Sequence, residues 1–380
     1  MSVEDFERVF GTRTQGTEGT ESTVSADDSA DTASSRALDP RDVGRRFAGL
    51  PMPRNVDLLR SEAGRPRVLR GGHKRFPFPV PNGWFIVARA DELQPGEVMP
   101  LYLFARHLVL FRTESGVPRL MDAHCPHLGA HLGVGGRVRG DTIQCPFHGW
   151  RFQGEDGTCV EVPYDDVDFI PRKAHARAYP TIERNQMIWA WHHLEDGQPF
   201  YDVPLVAEFD DPEWLPLVVR EFPVATCAQE MAENNYDTVH FQYVHGSEAI
   251  PAQDEFIDGN YKRTVSHNGA FVREGFGLGL GVLRVQGVTT FLSNTTPVDE
   301  ENLLVRWLFT APRSLGEQAA ESAADQFCSG LSQDIPIWEN KIFKDPPVLR
   351  PMEKGVTDHR RWCRQFYSYV DETHPGLSES

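Results

Sequence analysis

The sequence has few cysteines, an excess of acidic over basic residues and no long apolar run. Its six cysteines in 380 residues are too sparse for the disulfide framework of a small secreted domain. No apolar stretch reaches the roughly 18 residues of a membrane-spanning helix. The best candidate, MPLYLFARHLVLF, is broken by Arg106 and His107 and is typical of a strand. The formal net charge of −17 argues against a nucleic-acid partner, because such a chain repels phosphate groups.

The N-terminus lacks the features of an exported protein. The segment MSVEDFERVFGTRTQG contains neither the basic start nor the apolar core of a signal peptide. Four cysteines lie far apart along the chain, and we expect them to be reduced thiols: Cys159, Cys227, Cys328 and Cys363. These features predict a cytoplasmic protein without a transmembrane segment.

Nucleotide-binding patterns are also missing. The chain has no phosphate-binding P-loop, and the glycine-rich stretch GFGLGLG lies outside any strand–helix–strand unit. We expect this stretch to be a strand that a ligand or another backbone segment approaches closely. The absence of a flavin or nicotinamide motif implies that any reducing power comes from a separate protein.

What the sequence does contain is a group of cysteines and histidines in AHCPHLGAHLGVGGRVRGDTIQCPFHGWRF. Cys125 and His127 form a C-x-H pair, and Cys145 and His148 form a C-x-x-H pair after a long gap. Two thiolates and two imidazoles can hold a structural zinc ion or a Rieske [2Fe–2S] cluster, and a disulfide is a third alternative. The short C-x-H spacing favours the iron–sulfur cluster, because zinc sites usually have wider spacings.

A second group of polar residues lies in AENNYDTVHFQYVHG, which contains Asn234, Asp237, His240 and His245. Asp237 and His240 are three residues apart and share a face if this segment is helical. His240 and His245 are five apart, so both can reach one metal only where the helix ends or bulges. By itself this pattern is a weak signal, because helical histidines are more often ordinary polar residues.

The first motif closely resembles the Rieske box of the non-haem iron oxygenases. The resemblance implies that Cys125 and Cys145 bind the iron that is buried among sulfides in a [2Fe–2S] cluster. It implies that His127 and His148 bind the outer iron. Neutral imidazoles in place of two thiolates raise the reduction potential of such a cluster.

Other positions in the box narrow the resemblance. Respiratory Rieske proteins carry two further cysteines there, which form a disulfide, whereas this chain has Ala130 and Phe147. The resemblance is therefore to the oxygenase and ferredoxin branch. His124 and His131 have no counterpart among the ligands, and we expect them to be loop or packing residues.

Downstream of a Rieske box, the second group resembles the mononuclear iron motif of the same family. The resemblance implies that His240 and His245 bind Fe(II). It places the carboxylate that completes a 2-His-1-carboxylate triad at Asp334, in LSQDIPIWENKIF, with open positions left for O2. By spacing alone, Asp325 or Glu339 could compete with Asp334.

Asp237 resembles the carboxylate through which the family passes electrons. In the family this residue is hydrogen-bonded to an iron histidine and to a Rieske histidine of the adjacent subunit, a supporting role beside the metal. The resemblance thus implies that Asp237 is an inter-subunit electron bridge. It also implies that the protein is a homotrimer.

The resemblance covers most of the chain after about residue 80, and two groups within the family stand out: cholesterol 7-desaturases and the oxygenase component of bacterial 3-ketosteroid 9α-hydroxylases. It implies a monooxygenase or desaturase that uses O2 to oxidise a C–H bond of a steroid or sterol, by 7,8-desaturation or hydroxylation. Electrons would come from NAD(P)H through a separate ferredoxin or flavin reductase.

Two other functions stay open at this point. One is a Rieske monooxygenase of a non-steroid polycyclic or aromatic compound, and the other is an electron-transfer Rieske protein without catalysis. Six aromatic residues are candidates for the lining of a substrate pocket, although each is more readily explained as ordinary core: Trp189, Trp191, Phe241, Tyr243, Phe291 and Trp307.

These features predict an α+β protein in four parts. Residues 1–45 are rich in Ser, Thr, Asp and Glu and are expected to be a disordered acidic tail. Residues 46–80 are a basic lead segment, expected at the solvated surface. Residues 81–196 are predicted to be an all-β Rieske [2Fe–2S] domain that presents the cluster on two loops. The resemblance implies that residues 197–380 are a mononuclear iron catalytic domain, an α/β helix-grip fold with a central antiparallel sheet.

Overall fold

The computed structural model describes residues 74–164, 169–248, 250 and 252–368. The predicted acidic tail, residues 1–45, and residues 46–73 of the predicted lead segment lie outside the described residues. The predicted domain boundaries at residues 80 and 196 stay predictions. None of the described helices is both long enough and apolar enough to cross a membrane.

The first part of the described chain is built from short strands. They are β1 (Gly83–Arg89), β2 (Val98–Leu103), β3 (Arg106–Arg112), β4 (Pro118–Asp122), β5 (Arg137–Arg139), β6 (Thr142–Gln144), β7 (Arg151–Gln153), β8 (Cys159–Glu161), β9 (Ala178–Tyr179), β10 (Thr181–Arg184) and β11 (Met187–His192). They form three sheets, with the orders β1–β11–β10, β2–β3–β4–β9 and β5–β6–β7–β8. The described residues between β1 and β11 contain no α-helix, which confirms the predicted all-β part.

The second part is built around one seven-stranded antiparallel sheet. Its strands are β12 (Val218–Val224), β13 (Gln253–Asp258), β14 (Tyr261–Ser266), β15 (Phe271–Gly277), β16 (Leu280–Val285), β17 (Thr289–Pro297) and β18 (Leu303–Thr310). Their order is β12–β18–β17–β16–β15–β14–β13, so every pair except β12 and β18 joins strands consecutive in the chain. This sheet confirms the predicted α+β class with a central antiparallel sheet.

Helices surround this sheet. They are α1 (Ala228–Glu233), α2 (His240–Tyr243), α3 (Ala319–Trp338) and α4 (Lys354–Cys363). Short 3-10 helices lie at Ala90–Glu92, Ala207–Phe209, His267–Gly269, Arg313–Leu315, Pro351–Glu353 and Arg364–Phe366. The long helix α3 packs against β12 and β18, because its alanines and Leu331 give it a buried apolar side.

The apolar stretch MPLYLFARHLVLF is a hairpin rather than one strand. β2 and β3 pair with each other, and the chain turns at Phe104 and Ala105, whose φ angles are 56° and 57°. The main-chain N–H groups of these two residues donate to the carbonyl oxygens of Pro297 at 3.0 Å and Val298 at 2.8 Å. The single-strand prediction was wrong because neither turn residue is the glycine or asparagine that normally marks such a turn. The tip of the hairpin is held by the second part of the chain.

The stretch GFGLGLG is a tight hairpin rather than a continuous strand. β15 ends at Gly277 and β16 begins at Leu280. Gly277 and Gly279 have φ angles of 151° and 87°, a backbone conformation that only glycine adopts easily. The phenol ring of Tyr201 lies where a Cβ on Gly277 would be. The close approach at Gly277 thus comes from a side chain, whereas the sequence predicted a ligand or another backbone segment.

The described end of the predicted lead segment is buried rather than solvated. Phe76 and Phe78 are only 0% and 1% exposed. The Arg75 guanidinium is also buried, and it donates to the main-chain carbonyl oxygens of Glu339 at 2.9 Å and Ala225 at 2.8 Å. The prediction of a solvated surface was wrong for these residues. Burial of the two phenylalanine side chains is more favourable than solvation of the neighbouring basic residues.

A buried joint connects the two parts of the chain through the main chain of Ile86. Its N–H donates to the side-chain oxygen of Asn294 at 2.8 Å. Its carbonyl oxygen accepts hydrogen bonds from Thr296 Oγ1 at 2.9 Å and from Arg306 Nη1 at 2.7 Å. Ile86 lies on β1, an edge strand of its sheet, and a buried edge needs partners for its main-chain polar groups.

We predict that replacing Asn294 by Ala destabilises the protein by about 2 kcal/mol, because the buried N–H of Ile86 loses its acceptor. The free energy of unfolding is measured by urea titration of the metal-loaded protein. Ser293→Ala is the matched control, since among the described residues the Ser293 side chain makes one long hydrogen bond, 3.4 Å to the carbonyl of Gly281. We expect the control to change stability by less than about 0.5 kcal/mol. Equal losses in both variants would contradict the importance of the joint.

Candidate metal centres and active site

The Cys-His motif lies on two loops, one that connects two of the small sheets and one within the sheet β5–β6–β7–β8. Cys125 and His127 are in the connection from β4 to β5, and Cys145 and His148 are in the connection from β6 to β7. Both loops close in the same way, with the N–H of Gly129 donating to the Cys125 carbonyl at 2.9 Å and that of Gly149 to the Cys145 carbonyl at 3.1 Å. Both glycines have positive φ angles, 78° and 76°. The repeated C-P-x-x-G sequence thus gives two similar turns that face each other.

The four side chains of these loops fit a Rieske cluster. Cys125 and Cys145 are buried free thiols in hydrogen-bond contact with each other. That hydrogen bond, together with the main-chain N–H groups of Phe147 and His148, lowers the pKa of Cys145 to about 6. The Nδ1 atoms of His127 and His148 are buried and have no hydrogen-bond partner among the described residues. Two thiolates and two buried imidazole nitrogens without partners are the donor set that a [2Fe–2S] cluster of this type takes.

Two aromatic residues support the imidazole pair. The rings of His127 and His148 have centroids 4.8 Å apart. Trp150 stacks on His127 with a centroid separation of 4.5 Å and an angle of 6° between the ring planes. Its indole N–H donates to the hydroxyl of Tyr164 at 2.8 Å. This chain of contacts fixes the orientation of His127.

The other two histidines of the motif stand apart from these four residues. His124 and His131 pair with each other through a main-chain bridge, and their rings pack with His107 at centroid separations of 5.3–5.9 Å. Burial, with smaller effects from the two neighbouring histidines, lowers the pKa of His131 to about 4. This packing is what the sequence predicts for both residues. Phe147, at a position where respiratory proteins have a cysteine, is 62% exposed at the tip of its loop.

The second group of predicted ligands converges beside the large sheet. His240 begins α2, which ends at Tyr243, and His245 lies just beyond that end. Asp334 reaches the same place from the last turns of α3. Ligand atoms of the three side chains lie within 4.8 Å of one another. The helix thus ends between the two histidines, as their five-residue spacing requires.

Hydrogen bonds select which nitrogen of each histidine is free. The Nδ1 of His245 is 3.0 Å from the side-chain oxygen of Gln333, so it carries the proton and its Nε2 is left as an acceptor. That Nε2 lies 3.4 Å from a carboxylate oxygen of Asp334. The Nδ1 of His240 donates to the main-chain carbonyl of Asp237, which leaves its Nε2 as an acceptor, 3.4 Å from the side-chain amide nitrogen of Asn234. Two Nε2 lone pairs and one carboxylate fit the facial triad of a mononuclear iron site.

The electrostatics of the two histidines differ. Burial opposes protonation of His245, but in the protonated ring Nε2 donates to Asp334 and Nδ1 to Gln333, and these hydrogen bonds outweigh burial and raise its pKa. Burial lowers the pKa of His240, which keeps that ring neutral and ready to bind a metal.

The two competing acids lie elsewhere. Asp325 pairs at the surface with Arg220 at 2.9 Å and is 73% exposed. The carboxylate of Glu339 is directed towards the main-chain N–H of Ala225, at 3.4 Å, rather than towards the histidines. Of the three acids that the sequence offers, Asp334 is the one that lies beside His240 and His245.

Asp237 and His240 do not share one helix, contrary to the expectation from their spacing. α1 ends at Glu233 and α2 begins at His240, so Asp237 lies in the loop between them. Its carboxylate accepts hydrogen bonds from the N–H groups of Val239 at 3.2 Å and His240 at 3.4 Å. The contact with the His240 ring comes from its main-chain carbonyl instead. The carboxylate of Asp237 therefore supports the start of α2.

A cavity opens beside these three ligands, between α3 and one face of the large sheet. Its apolar lining includes Phe241, Phe291, Trp307, Phe327, Leu331 and Trp338. Three of the six aromatic residues named from the sequence are thus in the lining. Trp189 and Trp191 instead belong to the core shared by the two parts of the chain, and Tyr243 is 80% exposed outside the cavity.

Several residues at these sites were missed by the sequence reasoning. Gln333 and Trp150 orient histidines that are candidate metal ligands, and the side-chain amide of Asn234, which the sequence analysis named without a role, lies 3.4 Å from the Nε2 of His240. Arg273 lines the cavity. Two of them had a signal: Trp150 directly follows the His148–Gly149 pair that closes the box, and Asn234 belongs to the second group of polar residues.

Comparison with protein families gives a match for each part of the chain. Residues 83–178 match the family described as the Rieske [2Fe-2S] domain. Residues 190–367 match the family described as the 3-ketosteroid 9alpha-hydroxylase C-terminal domain.

Curated relatives match over most of their length. A cholesterol 7-desaturase of Caenorhabditis elegans is 32% identical over 336 residues, which cover 77% of this chain and 78% of the relative. The oxygenase component of the 3-ketosteroid-9-alpha-monooxygenase of Mycolicibacterium smegmatis is 28% identical over 331 residues, covering 78% and 85%.

Solved structures share the fold at lower identity. NdmA of Pseudomonas putida superposes with a TM-score of 0.62 at 22% identity and covers 74% of this chain and 88% of its own. Dicamba monooxygenase bound to dicamba gives a TM-score of 0.57 at 19% identity, covering 75% and 96%.

We predict that replacing Asp334 by Ala lowers the mononuclear iron content of the purified protein at least about tenfold, because the triad loses its only carboxylate. The matched control is Asp325→Ala on the same helix, which we expect to keep its iron. Iron and acid-labile sulfide are both measured, so the cluster serves as an internal reference. Iron loss in the Asp325 variant with retention in the Asp334 variant would reverse the assignment.

Proposed function

This chain belongs to the Rieske non-haem iron oxygenases, and we propose that it oxidises a C–H bond of a steroid or sterol, by 7,8-desaturation or hydroxylation. The observation that carries the proposal is the meeting of His240, His245 and Asp334 at the wall of an apolar cavity. The matched family and the relatives named for cholesterol and 3-ketosteroids support the substrate class.

The cofactors of this enzyme are a Rieske [2Fe–2S] cluster and a mononuclear Fe(II), and its co-substrate is O2. We propose that the four residues of the Cys-His motif hold the cluster: Cys125, His127, Cys145 and His148. We propose that His240, His245 and Asp334 hold the iron. When bound, the cluster supplies single electrons and the iron activates dioxygen.

The protein's own groups prepare the site for this chemistry. The carbonyl of Asp237 and the side chain of Gln333 each accept the Nδ1 proton of one histidine, which aims both Nε2 atoms at the same point. Aromatic rings such as Phe291 and Trp307 line the adjacent wall and exclude water from the reacting C–H bond. An apolar substrate would be oriented by shape and by burial of its surface.

Electron delivery requires other polypeptides. The relative from Mycolicibacterium smegmatis is named an oxygenase component, which implies a separate reductase. We propose that a ferredoxin or flavin reductase passes electrons from NAD(P)H to this chain. Leu128 and Phe147 flank the cluster histidines and are 65% and 62% exposed, as suits a surface that docks another protein.

We also propose that the protein is a homotrimer in which Asp237 carries electrons between subunits. Tyr243 supports this proposal, because it lies on α2 three residues after His240 and is 80% exposed. Its ring can therefore pack against a neighbouring subunit beside the candidate iron site. The cytoplasmic location predicted from the N-terminal sequence is likewise a proposal.

Two alternatives make different predictions. A simple electron carrier needs no second metal site, so this alternative does not explain why His240, His245 and Asp334 lie together beside a cavity. A non-steroid substrate would agree with structural neighbours bound to caffeine or dicamba, but those chains are 18–21% identical and support the fold alone.

The proposed function is tested by turnover. The purified protein, loaded with iron, is supplied with a surrogate reductase, NADH and a panel of sterols and 3-ketosteroids, and products are identified by mass spectrometry. Loss of two hydrogens from a sterol means desaturation, and gain of one oxygen on a ketosteroid means hydroxylation. Oxidation of non-steroid polycyclic compounds alone would remove the steroid assignment and leave the oxygenase assignment standing.

We predict that Asp237→Asn keeps both metals but lowers turnover at least about a hundredfold, because the amide can still accept the hydrogen bonds that start α2 but carries no charge. Asp237→Ala removes those hydrogen bonds too. Metal content and single-turnover rates are measured for both variants. Full activity of the Asn variant would sink the electron-bridge role and leave Asp237 as a support of α2.

A further inference from the structure

We propose that Arg273 binds an anionic oxygen group of the substrate, so that the natural substrate is a polycyclic apolar molecule that bears a carboxylate rather than a neutral sterol. This inference rests on the proposed function, because it concerns the cavity beside the proposed iron site. It names a chemical feature of the substrate that none of the motifs indicates.

Arg273 lies on the cavity face of the large sheet. It is in the middle of β15, directly opposite Thr264 on β14 and Leu283 on β16, and all three residues line the cavity. Within the part of the chain that the structure describes, no carboxylate or carbonyl oxygen accepts a hydrogen bond from its guanidinium. Burial lowers the pKa of this arginine from its ordinary value, but arginine stays charged at any physiological pH.

The acids nearest along the sheet are already engaged. Glu274 accepts hydrogen bonds from Arg284 at 2.6 Å and from the Tyr261 hydroxyl at 2.8 Å. Glu255 lies 3.3 Å from the ammonium group of Lys262, which also lines the cavity. Both acids are thus held by cations other than Arg273, and no ion pair of the Arg273 guanidinium is found among the described residues.

The space beside Arg273 is open. Gly275 follows it on the same face of β15, and Gly281 lies opposite Gly275 on β16, so two neighbouring positions of the cavity floor have no side chain. A Cβ placed on Gly275 would meet nothing closer than 3.8 Å. A ligand can thus lie flat on the sheet with one end at the guanidinium.

The chemistry of the cavity selects an acid. A charge removed from water without a partner is costly, and a carboxylate compensates it with two parallel hydrogen bonds to the guanidinium fork. A ketone or hydroxyl oxygen would accept a hydrogen bond but leave the charge uncompensated. The apolar rings of Phe291 and Trp307, on neighbouring strands, suit the rest of a polycyclic molecule.

The test compares a 3-ketosteroid that carries a side-chain carboxylate with its methyl ester. Equilibrium binding to the iron-loaded protein is followed by quenching of tryptophan fluorescence. We expect the wild type to bind the acid at least about tenfold more tightly than the ester. Arg273→Gln should bind acid and ester equally, with ester affinity unchanged, and Arg273→Lys should keep part of the preference.

The matched control is Arg263→Gln on the neighbouring strand. Arg263 is exposed and is not part of the cavity lining, so its loss should leave the preference intact. The thermal transition of ligand-free Arg273→Gln is a second readout. We expect the transition temperature of this variant to equal or exceed that of the wild type, because the variant removes an uncompensated charge. A marked fall would show that Arg273 has a structural partner and would overturn the proposal.

The outcomes separate this proposal from the proposed function. Equal affinity of the wild type for acid and ester would overturn the role of Arg273, while turnover of either steroid would keep the steroid assignment. Binding of a non-steroid polycyclic acid in a manner that depends on Arg273, with no steroid bound, would support the anion site and remove the steroid assignment.

Discussion

The way the two parts of the chain pack together depends on how the main-chain polar groups of one buried edge strand find hydrogen-bond partners. The main chain of Ile86 is removed from water at the contact between the small sheets and the large sheet, and Asn294, Thr296 and Arg306 supply its hydrogen-bond partners. A buried N–H or carbonyl without a partner costs free energy comparable to a lost hydrogen bond, so this set of contacts permits essentially one docking of the two parts. The hairpin tip at Phe104 and Ala105, tied to the end of β17, adds a second point of attachment.

Both metal centres follow one physical rule, that an imidazole can be aimed only if its second nitrogen or its ring face is held. At the Cys-His motif, Trp150 stacks on His127 and is itself tied to Tyr164. At the second centre, the Asp237 carbonyl and Gln333 hold the Nδ1 sides of His240 and His245. Trp150 and Asp237 are close in sequence to the histidines of their centres, whereas Gln333 reaches His245 from α3, far along the chain. This orienting role is why loss of a supporting group is expected to act on metal affinity and electron transfer rather than on folding.

The cavity combines what an oxygenase of apolar substrates needs with one feature that such an activity does not require. Aromatic rings from α3, β17 and β18 give a dry wall, and the glycines of β15 and β16 keep the floor clear. Arg273 is the exception, a cation in the cavity lining whose neighbouring acids pair with other residues. Enzymes of one family that share their metal chemistry differ in substrate specificity through such residues. A buried polar group without a protein partner favours a ligand that carries the complementary group.

The sequence by itself determined the chemistry of this protein. Cys125, His127, Cys145 and His148 could be proposed as cluster ligands because such ligands come from short loops with fixed spacing, and the five-residue interval between His240 and His245 required the helix end that α2 provides. Tertiary structure decided the rest. The hairpin within MPLYLFARHLVLF turns at residues with no turn signal, and Phe76 and Phe78 are buried by contacts far along the chain. Spacing could not separate Asp334 from Asp325 and Glu339, and nothing local marks Arg273 as unpaired, because both depend on which elements the fold brings to one face of the sheet.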